Sequence, residues 1–88
     1  MIEDIRYSKK FKKQYKKLPF KIQQRTKERI RLLYEDPFNP ILKHHILSGN
    51  LRGVHSINIT ADYRALYIEI NNKKIMFDMI GAHSQLYK

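Results

Sequence analysis

The chain has 88 residues, 42% of them hydrophobic, no cysteine, and a formal net charge of +10 from 18 Lys and Arg against 8 Asp and Glu. That length fits one domain, residues 1–88, with a small packed core. The composition excludes global disorder, a disulfide framework, a thiolate zinc site and a cysteine nucleophile. No apolar run is long enough to span a membrane, and none near Met1 has the form of a signal-peptide h-region. A cytoplasmic protein with no membrane partner is therefore expected. The charge is lopsided: residues 1–31 carry net +9 and residues 32–88 net +1. Such a concentration of positive charge suits a polyanion, whether RNA, DNA or an acidic protein segment.

In chain order, "IEDIRY" (2–7) alternates apolar and polar and predicts a short strand. Ser8 is placed to cap a helix over "KKFKKQYKKL". In that helix Phe11, Tyr15 and Leu18 form one apolar stripe, and Lys9, Lys10, Lys12, Lys13, Lys16 and Lys17 spread over the rest. Pro19 suits the first turn of a second helix, where Ile22, Thr26, Ile30 and Leu33 fall at near-helical spacing. "DPFNP" ends it, because two prolines so close cannot continue a helix. The two helices form a hairpin. "ILKHHILSGNLRG" (41–53) reads as a connecting segment. "VHSINI" (54–59), "YRALYIEI" (63–70) and "KIMFDMI" (74–80) read as strands, the last two joined through Asn71 and Asn72, which tolerate the positive φ of a tight hairpin. The order is β-α-α-β-β-β. The expected fold is a two-layer α+β domain: an N-terminal strand, a helical hairpin and a three-stranded antiparallel meander, with the first strand at an edge or beside the last.

The chemistry-bearing residues come late. All four histidines, His44, His45, His55 and His83, follow the helices, accompanied by Lys43, Arg52, Asp62, Arg64 and Tyr87. RNA cleaves itself when a base takes the 2′-OH proton, a cation steadies the pentacoordinate phosphate, and an acid protonates the departing 5′-oxygen. Histidine serves as base or acid near neutrality. Arginine supplies permanent planar charge for phosphate oxygens. An aromatic at the edge stacks on a base. Nothing in the scheme needs a metal or a cofactor, and no ligand spacing for a metal or glycine-rich nucleotide loop is found. Each residue also has a plainer role. His83 can fill a corner, Tyr87 can plug the terminus, and Arg64 can pair with Asp62 or Asp78. His55 can be merely half-exposed. His44 and His45 are neighbours, so in extended chain they point to opposite sides and at most one faces a given site.

The pieces "YSKKFKKQYKKLP", "HHILSG", "DYRALY" and "GAHSQLY", in this order and spacing, resemble the RelE/ParE superfamily of bacterial and archaeal toxins, in particular its YafQ-like ribonuclease branch. The resemblance spans nearly the whole chain. It implies a RelE-like fold and the toxin of a type II toxin–antitoxin pair. Such a toxin is an mRNA endoribonuclease working at the ribosome and held in check by a cognate antitoxin. Carried over by position, it implies catalytic roles for His45, Asp62, His83 and Tyr87, with Arg64 matching an arginine of related RelE-type toxins. Lys9, Lys10, Lys12, Lys13, Lys16, Lys17, Lys43 and Arg52 are the candidate RNA-binding residues.

The match has departures. Where the YafQ-like pattern has a further histidine, this chain has Asn58, and Met79 stands where some relatives carry a basic residue. The proton-transfer set is then reduced to His45, Asp62 and His83. Two rival readings remain at this level: a ParE-like inhibitor of DNA gyrase on the same fold, and a non-catalytic RNA-binding module.

Overall fold

The computed structural model describes residues 2–86. It runs β1 (Asp4–Tyr7), α1 (Lys9–Lys16), α2 (Phe20–Glu35), β2 (His45–Ile46), β3 (His55–Asn58), β4 (Tyr63–Glu69), β5 (Lys74–Ala82) and α3 (His83–Leu86), with 3-10 turns at Pro40–Leu42 and Gly49–Leu51. The strands form one sheet in the order β1-β5-β4-β3-β2. β1 pairs parallel to β5 at one edge, and every other pairing is antiparallel. The expected α+β architecture forms, with the first strand at the edge beside the last. It gains two short elements, β2 inside the connecting segment and α3 inside the tail. Two residues of strand and four of helix are too short for periodicity to announce.

α1 is started by Ser8, whose hydroxyl oxygen accepts the Phe11 N–H at 3.0 Å and whose O–H donates to the Asp78 carbonyl at 2.9 Å. The Ser8 N–H also donates to the Phe77 carbonyl at 2.9 Å. Three residues further round the helix face, Phe11 is buried, while the lysines around it are exposed. Gln14 accepts the Ile80 N–H at 2.9 Å. These polar contacts meet a β-bulge. Leu66 pairs with Met79 but Tyr67 pairs with Phe77, so Asp78 is skipped in the ladder. The bulge explains why β5 does not alternate strictly: Ile75, Phe77 and Ile80 all reach the core.

Pro19 precedes α2 as its capping residue, one position earlier than the first-turn placement expected, and Glu35 is the last residue of the helix. The corner between the helices is tied twice: the Tyr15 hydroxyl donates to the Gln23 carbonyl at 3.2 Å, and the Gln23 amide donates to the Tyr15 carbonyl at 3.0 Å. Phe11, Leu33 and Leu42 pack with Ile57, Ala65, Tyr67, Ile75, Phe77 and Ile80 from one face of the sheet. Each of the leucines, isoleucines and phenylalanines among them contributes on the order of 1.5–3 kcal/mol on leaving water.

The other face is what positions the site. Residues directly opposite across a ladder share a face. His45, Ser56, Leu66 and Met79 form one such row, and Asn58, Arg64 and Gly81 form another two residues along. Both rows point away from the core cluster. α3 folds back over the end of this face and packs on β5 and β4, burying Leu86. Gly81 makes room for it. A Cβ there would lie 2.9 Å from Gln85 Oε1 and 3.6 Å from Leu86 Cδ2.

Candidate active site

The short turn between β3 and β4 is built by Thr60. Its hydroxyl oxygen accepts the N–H groups of Asp62 at 3.3 Å and Tyr63 at 3.2 Å. This serine/threonine-type turn fixes the backbone on either side of the Asp62 carboxylate, which is left exposed. The same turn reaches the C-terminal segment, because the His83 N–H donates to the Asp62 carbonyl at 2.8 Å. Tyr63 pairs with Ala82 and Arg64 with Gly81, one and two residues from the same point. Asp62, Arg64 and His83 therefore converge at one end of the sheet although 21 positions separate Asp62 from His83 in sequence. His83 sits at the first position of α3, not on a strand, with its side chain exposed.

Arg64 does not use the structural partners its neighbourhood offered. Its guanidinium donates to the carbonyls of Thr60 at 3.1 Å, Ala61 at 3.0 Å and Tyr63 at 3.4 Å, and among the described residues it forms no ion pair with Asp62 or Asp78. One nitrogen makes all three contacts. Among the described residues the charge is held over the β3–β4 turn by neutral dipoles and has no carboxylate partner, as an anion site requires.

His45 lies on β2, at the opposite edge of the same face. Its Nδ1 is 3.0 Å from the Lys43 carbonyl, which orients the ring and leaves Nε2 outward. The approach to β2 is strained: Lys43 adopts φ 44°, a left-handed conformation unusual for a non-glycine residue. By rung geometry His45 and Arg64 are two strands and two residues apart, on the order of 10 Å. Asn58 occupies the strand between them, directly opposite Arg64.

The histidine pair divides as the alternation rule requires: His45 takes the open face and His44 the core side. His55, expected to be half-exposed, is instead 7% exposed and sits on the core side between His44 and Tyr67. The reason is the rung it shares with Tyr67, whose ring stacks on it together with that of His44. Tyr87 lies outside the described residues. Lys43 and Arg52 are exposed on the segments flanking β2. The lysines of α1 are exposed too, but on the helical layer, behind the sheet from His45 and Arg64. The sequence points to Asn58 only as a departure from the resembled pattern, and it does not point to Thr60. The only sequence signal for Thr60 was its place two residues before Asp62. Among the described residues no three His, Asp or Glu side chains gather as metal ligands, and no helix is long and apolar enough to cross a membrane.

Residues 3–88 match the family model described as bacterial toxin of type II toxin-antitoxin system, YafQ. No individually curated protein matches the sequence significantly. Among solved structures, YafQ from E. coli strain BL21(DE3) superposes with a TM-score of 0.82 at 23% identity, covering 98% of this chain and 99% of that chain. A chain of the E. coli DinJ–YafQ toxin–antitoxin complex superposes with a TM-score of 0.80 at 24% identity over 100% of both. The YoeB/ParE toxin from Agrobacterium tumefaciens gives 0.76 at 19% identity, covering 92% of this chain and 99% of that one. At these identities the structural likenesses speak for the fold.

Proposed function

Because the chain belongs to the YafQ family of toxins of bacterial type II toxin–antitoxin systems, we propose that it is a metal-independent endoribonuclease that cleaves mRNA on the ribosome through attack of the RNA's own 2′-OH. The observation that carries the proposal is the convergence of Asp62, Arg64 and His83 at one end of the sheet, tied by the 2.8 Å bond from the His83 N–H to the Asp62 carbonyl. His83 is the general acid or base. Its counterpart is Asp62 or His45, and the backbone adjacency favours Asp62, since His45 stands two strands away from Arg64. Arg64 stabilises the negative charge that develops on the phosphate. Tyr87 is the candidate aromatic for ordering a base, and His45 contacts the substrate from the far edge. Histidine is missing at Asn58, between these groups, so proton transfer rests on fewer side chains.

Phosphate contacts come from the exposed Lys9, Lys10, Lys12, Lys13, Lys16 and Lys17, with Lys43 and Arg52 beside β2. The α1 lysines lie on the layer behind the candidate site, which suits an extended ribosomal RNA surface better than the cleaved strand itself. Their contribution is salt-sensitive and sequence-independent. A cognate antitoxin, supported by the toxin–antitoxin complex among the similar structures, meets a surface of net charge +10 that favours an acidic segment. The cytoplasm, where mRNA and ribosomes are, is the corresponding location.

The test is RNA cleavage and growth arrest with the wild-type protein, His83→Ala and Arg64→Ala. Wild type yields 2′,3′-cyclic phosphate ends, and loss of the proton-transfer group lowers the rate about 10²–10⁴-fold. Full activity in both variants removes the site. DNA damage ahead of any mRNA cleavage gives the protein to the gyrase-inhibitor reading instead.

A further inference from the structure

A second polar cluster lies on the core side of the sheet, outside the proposed site. His44 Nε2 is 2.8 Å from His55 Nδ1 and 2.9 Å from the Tyr67 hydroxyl. The other nitrogen of His55, Nε2, is 2.8 Å from Glu69 Oε1. The three rings lie nearly parallel, with centroids 5.0 Å apart for His44–His55, 5.7 Å for His44–Tyr67 and 4.6 Å for His55–Tyr67. The chain of contacts crosses from the residue before β2, through β3, to β4.

β2 buries neither of its own side chains. It consists of His45 and Ile46, both exposed, at the sheet edge. It is entered through the left-handed Lys43 and left toward a loop with positive φ at Gly49 and Gly53. A two-residue ladder on an edge frays unless side chains pin it. His44 is the neighbouring side chain that reaches inward, and by strand alternation an inward His44 forces His45 outward.

We propose that His44 is a positioning residue: anchored to His55, Tyr67 and Glu69 on the core side, it holds β2 in the register and orientation that present His45 on the open face. The catalytic consequence rests on the endoribonuclease reading above; the structural consequence does not. The anchor is also proton-linked. His44 Nε2 carries one proton or one lone pair. Its 2.8 Å contact with His55 Nδ1 therefore holds one proton between the two nitrogens. Burial disfavours a charged imidazole on this side of the sheet, so a proton taken up by His44 favours the arrangement in which the ring has left the cluster. The groups that bear on His44 are His55 on β3, Tyr67 and Glu69 on β4, and Lys43 and His45 beside it in sequence. Burial, then the neighbouring His55 and His45, hold the His44 imidazolium form at a disadvantage, with Glu69 acting against them. Burial and Glu69 push the Tyr67 phenol up to about 12, so it stays a hydroxyl. The anchor is thus intact at neutral pH and opens in acid.

The experiment compares wild type with His44→Phe, which keeps a flat ring in the stack and removes the nitrogen, and with His44→Gln, which restores a hydrogen-bonding end. Amide exchange is read at Leu47, whose N–H donates to the Val54 carbonyl at 2.8 Å beside β2, with amides of β4 and β5 as the internal control for folding. In His44→Phe, Leu47 protection, taken relative to the intrinsic exchange rate at each pH, falls about tenfold, as for one lost hydrogen bond, and no longer changes between neutral and mildly acidic pH. The β4 and β5 amides stay protected, and His44→Gln recovers part of the Leu47 protection. In RNA cleavage His44→Phe lowers kcat with KM little changed and flattens the acid limb of the pH profile. Leu47 exchange identical in wild type and His44→Phe at both pH values overturns the proposal. If the wild-type protein cleaves no RNA, the exchange measurement still decides whether His44 anchors β2, and only the endoribonuclease reading falls.

Discussion

The main-chain N–H of His83 donates to the main-chain carbonyl of Asp62 at 2.8 Å. The contact joins the β3–β4 turn to the start of α3, and it involves neither side chain. The two backbones are locked together while both residues stay exposed at the surface. The rigidity of the proposed site depends on the turn and on α3, and each can be loosened without touching a reactive group.

Thr60→Val removes the hydroxyl that receives the N–H groups of Asp62 and Tyr63 while keeping a branched side chain of similar size. It is expected to lower stability by about 1 kcal/mol and to reduce RNA cleavage by more than that loss of folded protein accounts for. Urea denaturation and single-turnover cleavage, run side by side, check it. Unchanged cleavage at reduced stability argues that the turn does not position Asp62.

Gly81→Ala places a Cβ 2.9 Å from Gln85 Oε1, the atom that accepts the Ala82 N–H at 2.9 Å. The glutamine end can swing away, so the fold survives, but the Ala82 donor loses its acceptor at a cost of about 1 kcal/mol. Faster amide exchange in α3 and weaker cleavage are expected, and Gln85→Ala reproduces the loss of the acceptor without the crowding. Undisturbed α3 amides in both variants contradict this account.

Ser8→Ala deletes the cap on the Phe11 N–H and the bond to the Asp78 carbonyl at the β5 bulge. A lost cap and a lost bridging bond together cost about 1–2 kcal/mol, or a fall in Tm on the order of 5–10 °C for a domain of this size. Thermal denaturation measures it. The bulge lies far from Asp62, so activity at low temperature is retained.

Stability is expected to fall in mild acid through His44, whose pKa is held below its ordinary value of 6.5 by burial first and by His55 and His45 next. The unfolded chain takes up a proton as pH drops through about 6.5, and the folded chain resists it. Unfolding therefore consumes protons, and the stability present above that pH is lost progressively below it. Denaturation midpoints between pH 5 and pH 8 check the sign for about one proton, and His44→Phe flattens this part of the curve. A wild-type midpoint that rises toward acid rejects it.

Much of this could be read from local pattern. The apolar stripe of Phe11 and Tyr15, the cap at Ser8, the breaks at Pro19 and "DPFNP", and the three long strands follow from periodicity and backbone preference within a few residues. The charge imbalance, the candidates His45, Asp62, Arg64 and His83, and the opposite facing of His44 and His45 were legible too. The linear sequence determined which residues were available and which secondary structure each long segment adopted. Only tertiary packing decided which of them meet. The skipped Asp78 in β5 shifts the faces along the strand, and no local signal marks it because the Ser8 and Gln14 contacts that satisfy it come from a helix 66 to 70 positions away. The two-residue β2 exists only because β3 offers an edge to pair with. The His44–His55–Tyr67–Glu69 chain and the Asp62–His83 bond are products of strand register, which places residues side by side by ladder position and not by distance along the chain.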